Sequence, residues 1–218
     1  MDNKLIYNKA ASLATASDRE SYKEMNFIYK FIKRVLDIVC SILGIIVLSP
    51  ILVIVSILIK LESKGPIIFK QLRAGKGSKP FYIYKFRSMK IETPNIATND
   101  FTDSHVYITR IGKIIRKTSI DEIPQLFNIL KGDMSIIGPR PERPEFTQEF
   151  NEEIPGFINR LAVKPGLTGW AQINGGYDIT PQEKLVEDIY YIENRSILLD
   201  FKIILKTVKV VLTGHGAR

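Results

Sequence analysis

Asp121 and Glu122 stand side by side just after Arg116 and Lys117 and just before Ile123, Leu126, Phe127 and Leu130, the apolar side of a helix. Carboxylates at a helix start have two readings. Ser119-x-x-Glu122 has the spacing of a capping box, in which the side chains only satisfy free backbone amides. Pro124 argues for a slightly later start, because proline prefers the first helical position. The chemical reading rests on the same location: amides and dipole at a helix N-terminus attract phosphate and keep a carboxylate ionised. An ionised aspartate can attack phosphorus, while the adjacent glutamate can hold Mg²⁺, a hard cation that takes oxygen ligands and bridges phosphates. A carboxylate approaching a diphosphate is repelled unless its surroundings are cationic. Arg116, Arg140 and Arg143 are candidates for that neutralisation, since a guanidinium grips phosphate with two donors; each reads equally well as a surface or loop-bracing ion pair.

These residues need elements to position them. Helical patterning covers Ile108–Lys117 and Ile123–Leu130, and Gly132 is placed as a C-terminal cap. Pro139, Pro141 and Pro144 interleave with Arg140 and Arg143 in a rigid elbow. Residues 62–90 carry eight lysines and arginines against one acid, Glu62. Inside this basic stripe two short strands flank a Gly/Lys/Ser loop, because IIF and FYIYKF are rich in branched and aromatic residues. Lys85 and Arg87, in YKFRSM, are assigned with the three arginines to phosphate binding. The GKGS of the loop lacks the upstream glycine and the strand-to-helix context of a P-loop, which excludes a Walker-type nucleotidase. Residues 91–108 read as a polar loop.

From Ile38 to Ile59 no residue is charged, a run of 22 that is long enough to cross a membrane. Ser49-Pro50 lies near its middle, where proline removes a donor and is expected to break or kink the helix. Each arm would then reach about 15–18 Å, roughly one leaflet. Lys30, Lys33 and Arg34 precede the run, and Lys60 and Lys64 follow it. Positive flanks on both sides fit a re-entrant hairpin whose ends share the cytoplasmic face; a bitopic helix kinked at proline is the alternative. The run starts too late, and is too long, for a cleaved signal peptide. Near the other end, Ile197–Leu212 is apolar except for polar residues that include Lys202, Lys206 and Lys209, spaced for one helical face. Such a helix lies in a membrane interface or packs on a core.

The composition narrows the rest. A net charge of +8 over 218 residues suits anionic partners, whether nucleic acid, acidic lipid or phosphorylated substrate. One cysteine, Cys40, excludes an internal disulfide and a Cys-rich metal site, and two histidines, His105 and His215, give little support to a His-based metal cluster or a triad. No recognised nucleic-acid-binding motif occurs, so nucleic acid is not expected as a partner. A membrane-surface adaptor would use the basic stripes but has no need of the Asp-Glu and Pro-Arg-Pro motifs.

From Phe31 to about Leu212 the chain resembles the small bacterial sugar transferases, the monotopic polyprenyl-phosphate phosphoglycosyltransferases. The resemblance is carried in order by KRVLDIVCSILGIIVLSP, FKQLRAG, YKFRSM, RIGKIIRKTSIDEIPQLFNILKGDMSIIGPRP, KPGLTGWAQING and DIYYIENRSILLDFKIILKT. It implies transfer of a sugar phosphate from a UDP-sugar to polyprenyl (undecaprenyl) phosphate with release of UMP, as a first membrane step in polysaccharide or glycoconjugate assembly. In the family's reaction Asp121 would be the nucleophile that becomes a covalent aspartyl phospho-sugar, Glu122 the Mg²⁺ ligand, and Arg116 and Arg140 phosphate contacts. Asp188, in EDIYY, matches another position needed for activity and is assigned to the site without a role. Some members carry an arginine where Gly176 stands, so that arginine's role does not transfer. Gly175 and Gly176 suit either a close backbone approach to a ligand or a plain turn, and Trp170 is expected to anchor the core.

The fold expected is α+β and helix-dominated: a polar extension over 1–25, a re-entrant membrane helix over 26–61 broken at Ser49 and Pro50, and a catalytic domain over 62–218. A short β-hairpin and amphipathic interface helices complete it. UDP-sugar, polyprenyl phosphate and membrane lipids are the expected partners, with a homodimer and downstream glycosyltransferases as further ones, at the cytoplasmic face of the bacterial cell membrane.

Overall fold

Asn26 opens the longest helix, its side chain accepting the Tyr29 amide at 2.8 Å, and α1 then runs 36 residues, Phe27–Glu62. The structure is a computed structural model that describes Tyr22 and residues 25–93, 104–175 and 179–213; most of the polar extension, Gly176 and His215 lie outside the described residues. Pro50 sits inside α1. Having no N–H, it leaves the carbonyl four residues back, that of Ile46, without its helical donor. The Ser49 hydroxyl donates to that carbonyl at 2.7 Å, which satisfies it where lipid could not. Where two arms separated at Ser49-Pro50 were expected, the helix continues through the proline.

One stripe of α1 packs on the rest of the protein at helical spacing. Arg34 donates to the carbonyls of Ile129 and Leu130 at 2.7 and 2.8 Å, acceptors that the end of a helix leaves without amides. Asp37 accepts from Ser135 Oγ at 3.0 Å and the Ile136 amide at 2.9 Å. Further along, Val55 and Ile59 are buried with Phe86 and Ile115. The opposite side leaves Phe31, Ile46, Val47, Val53 and Leu61 exposed. By length and composition α1 could cross a membrane.

Strands β1 (Ile68–Ala74) and β2 (Pro80–Phe86) form the expected hairpin, antiparallel with Ile68 opposite Phe86 and Ala74 opposite Pro80. A one-turn helix, α2 (Ser104–Tyr107), precedes α3 (Arg110–Lys117), which starts later than the periodicity indicated because Ile108 bridges to Met89. A 3-10 turn (Ile120–Glu122) leads to α4 (Gln125–Lys131), closed by Gly132 at φ 92°. Then follow β3 (Ser135–Ile137), α5 (Pro144–Glu153), a 3-10 segment (Phe157–Ala162) and β4 (Gly166–Thr168). β3 and β4 pair in parallel, a contact absent from the sequence reading, since three residues are too few to show a period. The chain ends in α6 (Trp170–Asn174), α7 (Pro181–Asn194) and α8 (Ile197–Thr213).

Helix dominates the described residues. The largest core joins Ile137, Phe157, Leu185, Ile189, Tyr191, Ile192 and Ile203, with Trp170 packed against it as expected. α8 packs on the core, with Ile203 fully buried, while Leu198, Phe201, Leu205 and Val208 are exposed along another side. Lys202 and Lys206 fold over the Trp170 ring at 5.5 and 5.2 Å. Gly175 leaves room for Ile179, which an added Cβ would meet at 2.1 Å.

Asp200 fastens the start of α1 to α7 and α8: it accepts from Lys33 Nζ at 2.9 Å, Tyr29 at 3.1 Å and Tyr191 at 2.8 Å. Asp200→Asn removes the charge that Lys33 and two buried hydroxyls face. Denaturant unfolding of the detergent-solubilised protein should show a loss of about 2 kcal/mol; an unchanged midpoint would mean the cluster does not hold the helix.

Candidate active site

Glu62, the last residue of α1, accepts the first two amides of α3, Arg110 at 2.6 Å and Ile111 at 3.0 Å, and Thr109 Oγ1 takes the Gly112 amide at 2.9 Å. So capped, α3 runs to Arg116 and Lys117 and is turned sharply by Ser119, whose φ of 56° lies in the left-handed region. The Ser119 side chain makes no capping bond. The capping-box reading of Ser119 and Glu122 therefore fails, and Asp121 and Glu122 project from a 3-10 turn, not from the helix they precede. Pro124 takes the N-cap position of α4, which accounts for the delay.

Glu122 is gripped from two sides. Lys85 Nζ, from β2, lies 2.7 Å from Oε1, and Arg140, from the proline elbow, bonds both oxygens, Nη1 to Oε2 at 3.2 Å and Nη2 to Oε1. Burial by itself would raise the Glu122 carboxyl, but Arg140 and Lys85 outweigh it and hold the group far below the ordinary carboxylate range. Burial pushes the Lys85 ammonium down, opposed by Glu122. Asn128 registers these parts: its amide donates to Tyr82 O at 2.7 Å and accepts the Tyr84 amide at 2.9 Å, pinning α4 to β2 one residue before Lys85.

Asp121 differs from its neighbour. Among the described residues no hydrogen bond or ion pair closes on its carboxylate. Burial, with the Glu122 charge adding to it, moves its pKa above the usual aspartate value, and Lys85, Arg116 and Arg140 pull the other way. A half-buried, uncommitted carboxylate facing several cations has the character of a nucleophile waiting for an anionic partner.

An open cleft of about 1780 Å³ contains the pair. All the charged residues singled out from the sequence line it, but not in one role. Arg116 and Arg140 lie within electrostatic reach of Asp121. Arg143 pairs with Glu145, Nε to Oε1 at 2.8 Å, and its guanidinium covers the Phe146 ring at 5.1 Å, the loop-bracing arrangement. Arg87 is turned to the end of α1, donating to Lys64 O at 2.7 Å, Ser63 O at 2.8 Å and Ser63 Oγ at 2.9 Å. Asp188 is buried against Arg160. The cleft is also lined by Leu48 and Ile51 of α1 and Val208 of α8, so one cavity meets both the charged pair and the apolar helices.

Four charged residues absent from the sequence reading belong to this region. Glu142 takes Lys184 Nζ at 2.9 Å, Arg160 Nη1 at 3.6 Å and Arg73 Nη1 at 3.9 Å. Burial pushes the Arg73 guanidinium down to about 10, which still leaves it charged at neutral pH. The motifs FKQLRAG and GPRP already contained or bordered Arg73 and Glu142; Arg160 and Lys184 carry no local signal. No group of three or more His, Cys, Asp or Glu residues stands at metal-binding distance among the described residues. Mg²⁺ is commonly held by one or two carboxylates plus substrate phosphates and water; of the adjacent pair here, Lys85 and Arg140 occupy both Glu122 oxygens.

The site is a carboxylate pair in a cationic cleft, on a protein with a membrane-length helix. The profile of the bacterial sugar transferase family matches residues 28–214, and the chain belongs to that family. It is 48% identical over 194 residues to a UDP-N-acetylgalactosamine-undecaprenyl-phosphate N-acetylgalactosaminephosphotransferase of Aeromonas hydrophila, covering 88% of this chain and 46% of that protein. A UDP-glucose:undecaprenyl-phosphate glucose-1-phosphate transferase of Klebsiella pneumoniae is 43% identical over 189 residues, 84% of this chain and 41% of the relative. A putative undecaprenyl-phosphate N-acetylgalactosaminyl 1-phosphate transferase of Bacillus subtilis is 54% identical over 133 residues, 61% of this chain and 74% of its own length. The chain thus spans less than half the length of the first two relatives.

The ion pairs make a pH statement. Burial would raise the Glu142 carboxyl, but Arg160, Lys184 and Arg73 bring it down to about 2 from 4.5. A depressed carboxyl contributes stability that is complete above its unfolded value and is lost as pH falls through the folded one. Unfolding midpoints should therefore drop between pH 4.5 and about 2, and Glu142→Gln should lower stability at pH 7 while flattening that acid limb. An equally steep limb in the variant would assign it to other groups.

Proposed function

We propose that this chain transfers a sugar phosphate from a UDP-sugar to undecaprenyl phosphate, releasing UMP, through a covalent intermediate on Asp121. The observation that carries the reading is the contrast between the two carboxylates: Glu122 is fully engaged by Lys85 and Arg140, whereas Asp121 is uncommitted in the same cationic cleft. The relatives' names supply the substrate classes.

An Asp121 carboxylate oxygen attacks the β-phosphorus, and the bond from that phosphorus to the bridging oxygen breaks, so the electron pair leaves with UMP. A phosphate oxygen of the polyprenyl acceptor then attacks the same phosphorus. The acyl phosphate bond breaks, the diphosphate-linked sugar departs, and Asp121 is a carboxylate again. Arg116, Arg140 and Lys85 orient the phosphates and lower the repulsion between carboxylate and diphosphate. Mg²⁺, held by Glu122 together with substrate phosphates, would supply further neutralisation of the charge developing on the leaving oxygen.

Membrane placement follows the same logic. Both ends of α1 are fastened to one domain, Lys33 to Asp200 near the start and Glu62 to the α3 amides at the end. A helix crossing the bilayer would leave those ends on opposite faces. This supports a re-entrant α1 with both ends cytoplasmic, bringing Leu48 and Ile51 beside a lipid-borne acceptor.

Two measurements test this reading. Asp121→Asn should cut Mg²⁺-dependent UMP release from a UDP-sugar panel by about 10³-fold or more while the protein stays folded; normal turnover in that variant would remove the nucleophile. Because Asp121 must be ionised and its pKa is raised, wild-type turnover should fall as pH is lowered, with its limb above the ordinary aspartate value of about 3.9. For topology, Cys40→Ser protein labelled at Lys30→Cys or at Lys64→Cys should react from the same side of sealed vesicles. Labels on opposite faces would restore a spanning helix.

A further inference from the structure

The proline elbow is held carbonyl by carbonyl. Pro139 O accepts the Gly166 amide at 2.9 Å, Arg140 O accepts Arg160 Nη2 at 3.0 Å, Pro141 O accepts Arg73 Nη1 at 3.1 Å, and Glu142 O accepts the Ala74 amide at 2.9 Å. Three of these donors sit at or beside short strands. The fourth, Arg160, comes from the 3-10 segment before β4, and it is the one that meets the residue whose side chain grips Glu122.

Arg160 is itself fixed on its other edges. Its Nε and Nη2 reach Asp188 Oδ2 at 2.9 and 2.6 Å, and its Nη1 lies 3.6 Å from Glu142 Oε1. Its plane covers the Phe157 ring at 4.7 Å. Both partners of the Asp188 pair stand at the wall of the cleft but are only 2% exposed and are taken up with each other. Burial favours the neutral carboxyl and so pushes Asp188 up, while the Arg160 charge and its hydrogen bonds oppose this. Removing one charge would leave the other unpaired in the interior, which is strongly unfavourable. What such a buried pair can do is hold a fork-shaped donor in one orientation, a task that a lysine's single ammonium cannot perform.

We propose that Arg160, oriented by Asp188, is a positioning residue: through the Arg140 carbonyl it sets where the Arg140 guanidinium stands relative to Glu122 and the phosphates. Asp188 thereby acts on the chemistry without contacting substrate. The inference rests on the transferase reading above, and it gives Asp188 a role through Arg160 and Arg140.

The experiment uses the whole chain in detergent with Mg²⁺ and follows UMP release from whichever UDP-sugar wild type turns over. If wild type releases UMP from none, the transferase reading falls and the positioning claim is judged on structure alone: a crystal structure of Arg160→Lys should show the Arg140 carbonyl released and its side chain displaced from Glu122, and an unmoved Arg140 overturns the claim. With turnover in hand, Arg160→Lys keeps a cation beside Asp188 and should still fold, yet lose about 10- to 100-fold in kcat. Wild-type kcat in that variant overturns the proposal. The second arm is a cycle in which Asp188→Asn with Arg160→Gln, which removes both buried charges together, is combined with Arg140→Gln. If the pair acts through Arg140, its effect shrinks to within about threefold once Arg140 is gone. Effects that multiply would assign Asp188 and Arg160 a role independent of Arg140. A purely structural role would lower the unfolding midpoint but leave the two effects multiplicative.

Discussion

Glu122 is where three separate parts of the chain are made to meet. A carboxylate sunk this deeply is unfavourable without partners, and here the partners come from a strand, Lys85, and from a proline elbow, Arg140. The two elements are also joined through β1, which pairs with β2 and bonds the Pro141 and Glu142 carbonyls, and each is braced further: Asn128 zips α4 to β2, and Arg160 takes the Arg140 carbonyl. The consequence for chemistry is a division of labour. Because Glu122 absorbs the nearest cationic donors, Asp121 is left in the same field with no bond of its own to break before it reacts.

Helix α1, long and apolar enough to cross a membrane, belongs to the same construction. Its last residue caps α3, and α3 ends at Lys117, two residues before Ser119 turns the chain toward Asp121. Its buried stripe carries Arg34 and Asp37, which would be expensive in lipid but are consumed by carbonyls at the end of α4 and by β3. The exposed side is predominantly apolar, with Phe31, Ile46, Val47, Val53 and Leu61 uncovered. Ser49 serves the same end at Pro50: a carbonyl that proline would strand is satisfied from within, so the helix can bear a proline in an apolar setting.

Much of this was legible. The apolar run, the β-hairpin, the Gly132 cap and the Asp-Glu pair all have local signatures, and the motif order revealed the family. What was not legible depends on partners far along the chain. Arg160 lies in FINRLAV with nothing nearby to pair with, and its partners are 28 and 20 residues away in sequence. The β3–β4 pairing joins segments of three residues each. Ser119-x-x-Glu122 misled in the opposite sense: the spacing of a capping box is present, but the left-handed Ser119 turns its side chain away from that task. Local spacing states what a segment could do, and tertiary partners decide which option is taken.

Lys85 and Arg87 show the same limit within a single motif. Two residues apart on an extended chain, they share a face by strand periodicity, and the sequence reading groups both as phosphate ligands. The ladder with β1 ends at Phe86, however. Up to that point Asn128 and the β1 pairing hold the backbone, so Lys85 is directed at Glu122. Beyond it Arg87 meets the end of α1, where the Ser63 and Lys64 carbonyls stand beyond the last helical amides. A guanidinium with several donors satisfies two carbonyls and a hydroxyl at once, and a phosphate in the cleft would have to outcompete all three. The helix end thus claims the second cation of the motif, and the strand delivers the first to the site.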